Sequence, residues 1–454
     1  MSTPIVSTSD LATFDSAAVP LDETSRAALA ERGLGYVTVD PSEEGGESFA
    51  RWSEAVNRGF LGERSTPEQI ESWRTRAVGS RVVGVTDPAG ALPEQPVATV
   101  QSWAAELTVD DGRTIPSWGI SAVTVSSTHR RRGIARALLG GELRAARDAG
   151  LPIAGLTVSE ATIYGRYGFG PAAGATRWRI DARRAGWVGP QPVRDGRGRL
   201  DPVEREAVQS DLRELFGRIR VTRPGEFEPE EAFFVGFSGL NPAKPDLNLR
   251  GVRYTDAAGV TRGVITYRMS ENMEDYRSST MDVDLLLAET TDAYAALWHY
   301  ALTHDLVGTV NAGELSTDEP LRWMVEDQRA LRVTESDHHW LRILDVPNAL
   351  AARGYRTSGA FVLDVVDPLG IAGGTFRLEI DDDGNGVVTP ADAAATPGEG
   401  VVRLGISELS SLYLGGVSSR TLLAAGRIET DDATAARFDA AFAAVRPPLL
   451  SYWY

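Results

Sequence analysis

Arg130, Arg131 and Arg132, followed at once by Gly133, are the residues of this chain whose types and spacing most plainly suit chemistry. Guanidinium groups offer paired donors matched to phosphate oxygens, and a glycine puts no side chain between a pyrophosphate and the backbone. Upstream, Ser121-Ala122-Val123-Thr124-Val125 has the composition of a short buried strand. Downstream, residues 134–149 carry Ala135, Leu139, Leu143 and Ala146 at helical spacing. A strand that enters a helix through such a loop leaves the first helical N–H groups unpaired, and the helix dipole adds partial positive charge there. An anion suits that end, so the loop reads as a pyrophosphate cradle. The arginines alone would describe a solvated basic turn or a nucleic-acid patch equally well; the strand before, the glycine and the helix after favour the cradle. Other phosphate motifs fit worse: no Gly-x-x-x-x-Gly-Lys-Ser/Thr occurs, and the glycines of residues 165–170 stand in the wrong order for a dinucleotide fingerprint. Arg183-Arg184-Ala185-Gly186 repeats the letters of the cradle, but Pro190 and Pro192 follow where a helix would have to run.

The elements that must position this loop are legible in outline. Before it come a strand at 36–39, helices at 47–60 and 67–76, and strands at 81–86 and 97–108. After its helix come a strand at 153–158, a polar break at Ser159-Glu160, and Ile163-Tyr164-Gly165-Arg166-Tyr167-Gly168-Phe169. The first 34 residues, rich in Ser, Thr, Asp and Ala, read as an extension with one helical segment around 25–32. Residues 186–202, dense in Gly, Pro and charge, read as a linker. A second helix-then-meander order follows: a helix at 203–216, strands at 249–255, 260–269 and 281–287, and a helix at 291–304, with no Arg-Arg-x-Gly. Strands at 361–366, 375–380 and 400–404 with helices at 406–413, 418–425 and 430–444 close the chain. Asp381-Asp382-Asp383-Gly384-Asn385-Gly386 opens like a calcium loop, but Asp392 stands where a bidentate Glu is wanted, and a hairpin turn fits better, so no metal is expected.

Composition narrows the function. A chain of 454 residues, 42% hydrophobic and 24% charged, holds two to four domains of ordinary globular kind. A net charge of −17, from 63 acidic against 46 basic residues, disfavours nucleic acid and favours a cationic partner. With no cysteine, thiolate nucleophiles, disulfides and Cys-metal sites are excluded, and the five histidines form no recognised metal or triad motif. No apolar run approaches the roughly 18 to 20 residues that span a bilayer, and the polar start lacks a signal-peptide pattern, so a cytoplasmic protein with no membrane partner is expected.

Val-x-Val, then Arg-Arg-x-Gly, then a helix resembles the acetyl-CoA signature of the GNAT N-acetyltransferases. With Ser159-Glu160, the run from Ile163 to Pro171, Leu341-Arg342-Ile343-Leu344-Asp345-Val346-Pro347 and Ser411-Leu412-Tyr413-Leu414-Gly415, nearly the whole chain is similar to the Eis (enhanced intracellular survival) family. The resemblance implies a mixed α/β (α+β) chain of tandem GNAT folds, the first active and the second degenerate, with a C-terminal sterol-carrier-like domain. The expected boundaries are 1–34 for the extension, 35–188 for the catalytic domain, 189–339 for the degenerate one and 340–454 for the last. It also implies a homohexamer and acetyl transfer from acetyl-CoA to amines, aminoglycosides among them. Carried onto this sequence, the acetyl-CoA contacts fall on Val123, Thr124, Val125, Arg131, Arg132, Gly133, Ile134, Ala135, Arg136, Ser159 and Glu160. The proton donor falls on Tyr164, with Tyr167 its nearest competitor, and the proton acceptor on the terminal carboxylate of Tyr454.

The chemistry is coherent. An amine must lose a proton before it attacks a thioester; an α-carboxylate, with an ordinary pKa of about 3.5, is too weak a base near neutrality unless burial raises it. A backbone N–H at the end of the 123–125 strand could meet the oxyanion, and the Tyr164 hydroxyl could protonate the departing thiolate. Glu63 and Trp73 are candidates for holding a cationic substrate, by charge and by a π-face, and both would equally suit surface or core positions. Trp453 stands where family members can place an acidic residue, which leaves the amine pocket one cation contact short. Two other readings fit the same letters: acetylation of a protein lysine or N-terminus, and a lipid carrier on a GNAT scaffold.

Overall fold

The structure, a computed structural model, describes residues 5–391, 396 and 398–454. It falls into two units: residues up to 173 with 338–446 and 454 form the first, and 174–337 with 447–453 the second.

The first unit opens with α1 (Glu23–Ala30), β1 (Gly35–Val39), α2 (Glu47–Gly59), α3 (Pro67–Arg76), β2 (Arg81–Thr86), β3 (Ala98–Asp110), β4 (Arg113–Val125), α4 (Ile134–Asp148), β5 (Ile153–Thr157) and α5 (Ala161–Tyr164). Local chemistry starts the helices. Asp22 accepts from Ser25 N at α1, and Thr66 and Gln69 form a reciprocal capping box at α3, with Pro67 at its first position. β1 to β4 pair antiparallel in order, and β4 pairs parallel with β5 over residues 117–119. The short strand expected at 121–125 is the end of a 13-residue strand whose first half Pro116 and Gly119 disguise. The segment before β1 is packed: Ser16, Val19 and Leu29 are buried, Ser25 Oγ donates to Ala137 O at 2.6 Å, and Arg144 holds Asp22 at 2.7 Å. α4 lies against one face of the sheet, where the fully buried Arg81 and Glu142 pair at 3.2 Å and Ser102 Oγ donates to the same carboxylate at 2.7 Å.

The second unit contains most of β6 (Gly170–Asp181), then α6 (Ala182–Ala185), β7 (Gly198–Val203), α7 (Arg205–Arg220), α8 (Glu231–Phe237), β8 (Arg250–Asp256), β9 (Thr261–Ser270), β10 (Ser279–Ala288), α9 (Thr291–Leu302) and β11 (Val307–Leu315). Its strands run in the order β6-β11-β10-β9-β8-β7, with β10 and β11 parallel, around a core that includes Trp178, Ile265, Leu297 and Trp298. The linker expected at 186–202 is therefore corrected at its end. Residues 198–203 form β7, an edge strand paired to β8, where Pro202 and Gly198 are tolerated because one side needs no ladder bonds. Residues 447–453 dock here. Leu449 N donates to Pro224 O at 2.8 Å, Ser451 N and Oγ donate to Glu226 Oε2 at 3.2 Å each, and Tyr452 Oη donates to Phe227 O at 3.0 Å. Trp453 is exposed, with its indole N–H on Glu314 Oε1 at 3.0 Å.

The chain returns to the first unit through the last residues of β12 (Leu331–Ile343), which pair antiparallel with β5. α10 (Val346–Ala352), β13 (Gly359–Val366), β14 (Gly374–Ile380), β15 (Gly386–Pro390), β16 (Gly400–Gly405), α11 (Ile406–Leu412), α12 (Ser419–Ala424), β17 (Ile428–Glu429) and α13 (Asp432–Phe442) follow, with a five-stranded sheet in the order β15-β14-β13-β16-β17. Arg342, fully buried, ties this part to α5's neighbourhood by pairing with Asp367 at 2.7 Å and donating to Tyr167 O at 2.8 Å. The acidic run is a hairpin turn: Asp381 Oδ1 accepts from Asp383 N and Asn385 N between β14 and β15. Asp392 lies outside the described residues; among those described, no His, Cys, Asp and Glu group could hold a metal, and no helix is long and apolar enough to cross a membrane.

Candidate active site

The site begins where β4 and β5 part. Thr99 faces Thr124 and Gln101 faces Ser121, so two residues of β4, Ala122 and Val123, stand against one of β3: a β-bulge. Ala122 takes φ +52°, a left-handed conformation that costs a non-glycine residue about 1–3 kcal/mol and marks a candidate site. Thr99 Oγ1 secures it by donating to Ala122 O at 2.8 Å. The bulge re-aims the end of the strand where Val123 and Val125 are half-buried and Thr124 buried.

From there the chain passes through residues 127–129 into the arginine loop. Arg131 sits at φ +62° and Gly133 at φ +73°, and Gly133 is the N-cap of α4 with no side-chain cap. The first-turn N–H groups of a 15-residue helix are thus offered outward beside three exposed guanidinium groups, the arrangement that suits a diphosphate. Ile134 is buried and anchors the helix, Ala135 is half-buried, and Arg136 is exposed on the first turn. His129 Nε2 lies 3.0 Å from Asp87 Oδ2 and Arg132 Nη1 3.6 Å from it, which holds the Asp87 carboxyl below its ordinary range. Sequence reasoning missed Arg32: a Cβ built on Gly133 would lie 3.5 Å from its Nη2, so a fourth guanidinium borders the loop.

After β5, Ser159 and Glu160 are exposed ahead of α5, and Glu160 accepts from Thr162 Oγ1 at 3.1 Å. Tyr164 ends α5 with its ring buried, 6.1 Å and edge-on from Phe169. Burial pushes its hydroxyl pKa up, and a side-chain hydrogen bond with Ser159 opposes that. Tyr167 is also buried and also raised by burial, against the pull of Arg166 and Arg136.

Tyr454 belongs to the same unit. Its main-chain oxygen accepts from Thr157 Oγ1 at 2.7 Å, its hydroxyl lies 2.7 Å from His339 Nε2, and its ring stands edge-on to Trp103 at 5.4 Å. Burial pushes the phenol well above its ordinary pKa. Side chains alternate along a strand, so Trp103 shares its face of β3 with Gln101, which accepts from the indole N–H of Trp73 at 3.3 Å. Trp73, half-buried, packs edge-on against Phe49 and Trp52, while Glu63 stands exposed in the loop between α2 and α3. Thr157, His339 and Trp103 were not singled out from sequence; Gly155, a glycine inside a strand, was the available sign of a close approach.

Family models described as an acetyltransferase (GNAT) domain match residues 40–172 and 238–343, and one described as a sterol carrier protein domain matches 346–451. An uncharacterized N-acetyltransferase of Streptomyces avermitilis is 37% identical over 397 residues, 85% of this chain and 91% of that relative. The N-acetyltransferase Eis of Mycobacterium tuberculosis is 34% identical over 387 residues, 84% of this chain and 91% of the relative. Among solved structures, Eis1 from Mycobacterium abscessus superposes with a TM-score of 0.76 at 25% identity, covering 93% of this chain and 100% of the other.

Proposed function

The chain belongs to the Eis family of N-acetyltransferases, and from that premise we propose that it transfers acetyl from acetyl-CoA directly to an amino group of a small cationic amine, with an aminoglycoside-like polyamine as the reference substrate. The observation that carries the reading is the uncapped N-terminus of α4, entered through left-handed Arg131 and Gly133 beside the bulged end of β4.

Arg131, Arg132 and the N–H groups of Gly133 to Arg136 bind the diphosphate; Val123 to Val125, Ser159 and Glu160 flank the thioester arm. The terminal carboxylate of Tyr454 takes a proton from the ammonium, and the freed nitrogen lone pair attacks the thioester carbon. As the carbonyl oxygen gains charge, a backbone N–H at the end of β4 meets it. The C–S bond then breaks, Tyr164 gives its proton to the leaving thiolate, and the newly acylated nitrogen loses its surplus proton to the tyrosinate. A buried phenol with a raised pKa suits a donor that must stay protonated until that moment. Both partners are bound at once, with no covalent enzyme intermediate. Glu63 and Trp73, on the α2–α3 side, supply charge and an aromatic face for the remaining ammonium groups. A cytoplasmic homohexamer completes the proposal.

The test is release of CoA thiol by purified protein from acetyl-CoA with a panel of amines. Release should depend on the amine and be greatest with kanamycin-like polyamines. Release confined to lysine peptides would replace the substrate class, and thermal stabilisation by lipid but not by CoA would move the function to the C-terminal domain.

A further inference from the structure

Tyr454 is gripped at both ends. Thr157 Oγ1 donates to its main-chain oxygen at 2.7 Å, and His339 Nε2 sits 2.7 Å from its hydroxyl. His339 and Thr157 are cross-strand partners in the β12–β5 register, so one rung of the sheet carries both contacts. The neighbouring rung must be bare: a Cβ on Gly155 would stand 2.8 Å from His339 Nε2 and 2.9 Å from Tyr454 Oη, closer than packed atoms allow. Trp103 closes a third side with its ring edge-on at 5.4 Å.

A chain end held by one hydrogen bond can swing; one held at the carboxyl and at the far end of its own ring cannot. General-base catalysis needs the base within hydrogen-bond reach of the proton it removes, and a misplacement of about 1 Å can cost roughly a hundred-fold in rate. Resting on the reading of the terminal carboxylate as the base, we propose that Thr157 and His339 are positioning residues that fix that carboxylate at the amine nitrogen, with the Tyr454 phenol as anchor.

Steady-state kinetics on the full chain with acetyl-CoA and kanamycin test this. Thr157→Val should lower kcat roughly ten-fold or more, since a hydrogen bond to a charged group is lost, while KM for acetyl-CoA stays within about two-fold. Thr157→Ser should restore most of the rate. In a chain lacking Tyr454, already slow, Thr157→Val should add less than about a two-fold loss, because the partner it positions is gone. Tyr454→Phe, which keeps ring and carboxylate, should slow turnover, and His339→Phe in that background should add little. Equal losses from Thr157→Val with and without Tyr454, or a serine variant as slow as valine, would reduce Thr157 to a structural role and overturn the proposal. A chain without Tyr454 that turns over at full rate would instead overturn the base reading, and the positioning role with it.

Discussion

At the scale of single residues, the two tyrosines proposed for the chemistry stand in different surroundings. Tyr164 is a buried phenol with Ser159 as its hydroxyl neighbour, whereas the Tyr454 phenol is tied to His339 and leaves the terminal carboxylate as its working group. In the proposed mechanism Tyr164→Phe removes the proton that leaves with the thiolate and little else, so kcat should fall by roughly a hundred-fold or more with acetyl-CoA affinity nearly intact. Tyr167→Phe should retain most of the rate. A fully active Tyr164→Phe enzyme, measured by thiol release, would move the donor role elsewhere. The residues of the arginine loop could be found in the sequence because strand, turn and helix follow one another without interruption. Arg32, Trp103 and His339 could not, since each reaches the site from a distant part of the chain; Thr157, two residues before Ser159, had only Gly155 as a local sign, which marks a close approach but not what makes it.

At the scale of elements, the helices of eight residues or more are legible in the sequence, while the short α5, α6, α8 and α10 are not. Caps such as Asp22 and Thr66 and the 3.6-residue spacing of apolar side chains lie within one segment. Strands β6, β11 and β12 escaped notice: β6 begins Gly-Pro-Ala-Ala-Gly-Ala, and β12 is exposed along Glu-Ser-Asp before its buried end, so neither shows clean alternation. The tail element offers a test of its own anchoring. Burial of Glu226 pushes its pKa from 4.5 to about 7, against the pull of Arg223 and of the Ser451 hydrogen bonds. The folded chain therefore holds that proton to higher pH than the unfolded chain does. The stabilisation is complete below pH 4.5 and is lost as pH rises through about 7. Melting temperature should drop between about pH 4.5 and 7 more steeply for the unaltered chain than for Glu226→Gln. Identical slopes would place the carboxyl in a more open setting than the clasp on Ser451 indicates.

At the scale of the whole molecule, the two stretches that match acetyltransferase domains differ at one junction. In the first, α4 begins at an uncapped glycine; in the second, the helix after β10 is closed by its own residues, Thr290 Oγ1 accepting from Ala293 N, with Asp292 adding negative charge in the first turn. An N-terminus satisfied from within and screened by a carboxylate has little left for a phosphate. One chain should therefore bind one acyl-CoA, through the arginine loop of its first unit. Calorimetric titration with acetyl-CoA tests this claim most directly. The unaltered protein should bind with a stoichiometry of about one per chain, and Arg131→Ala with Arg132→Ala should weaken the affinity by at least about ten-fold through loss of charge-assisted hydrogen bonds. Two sites per chain, or an affinity unchanged in the double variant, would contradict it.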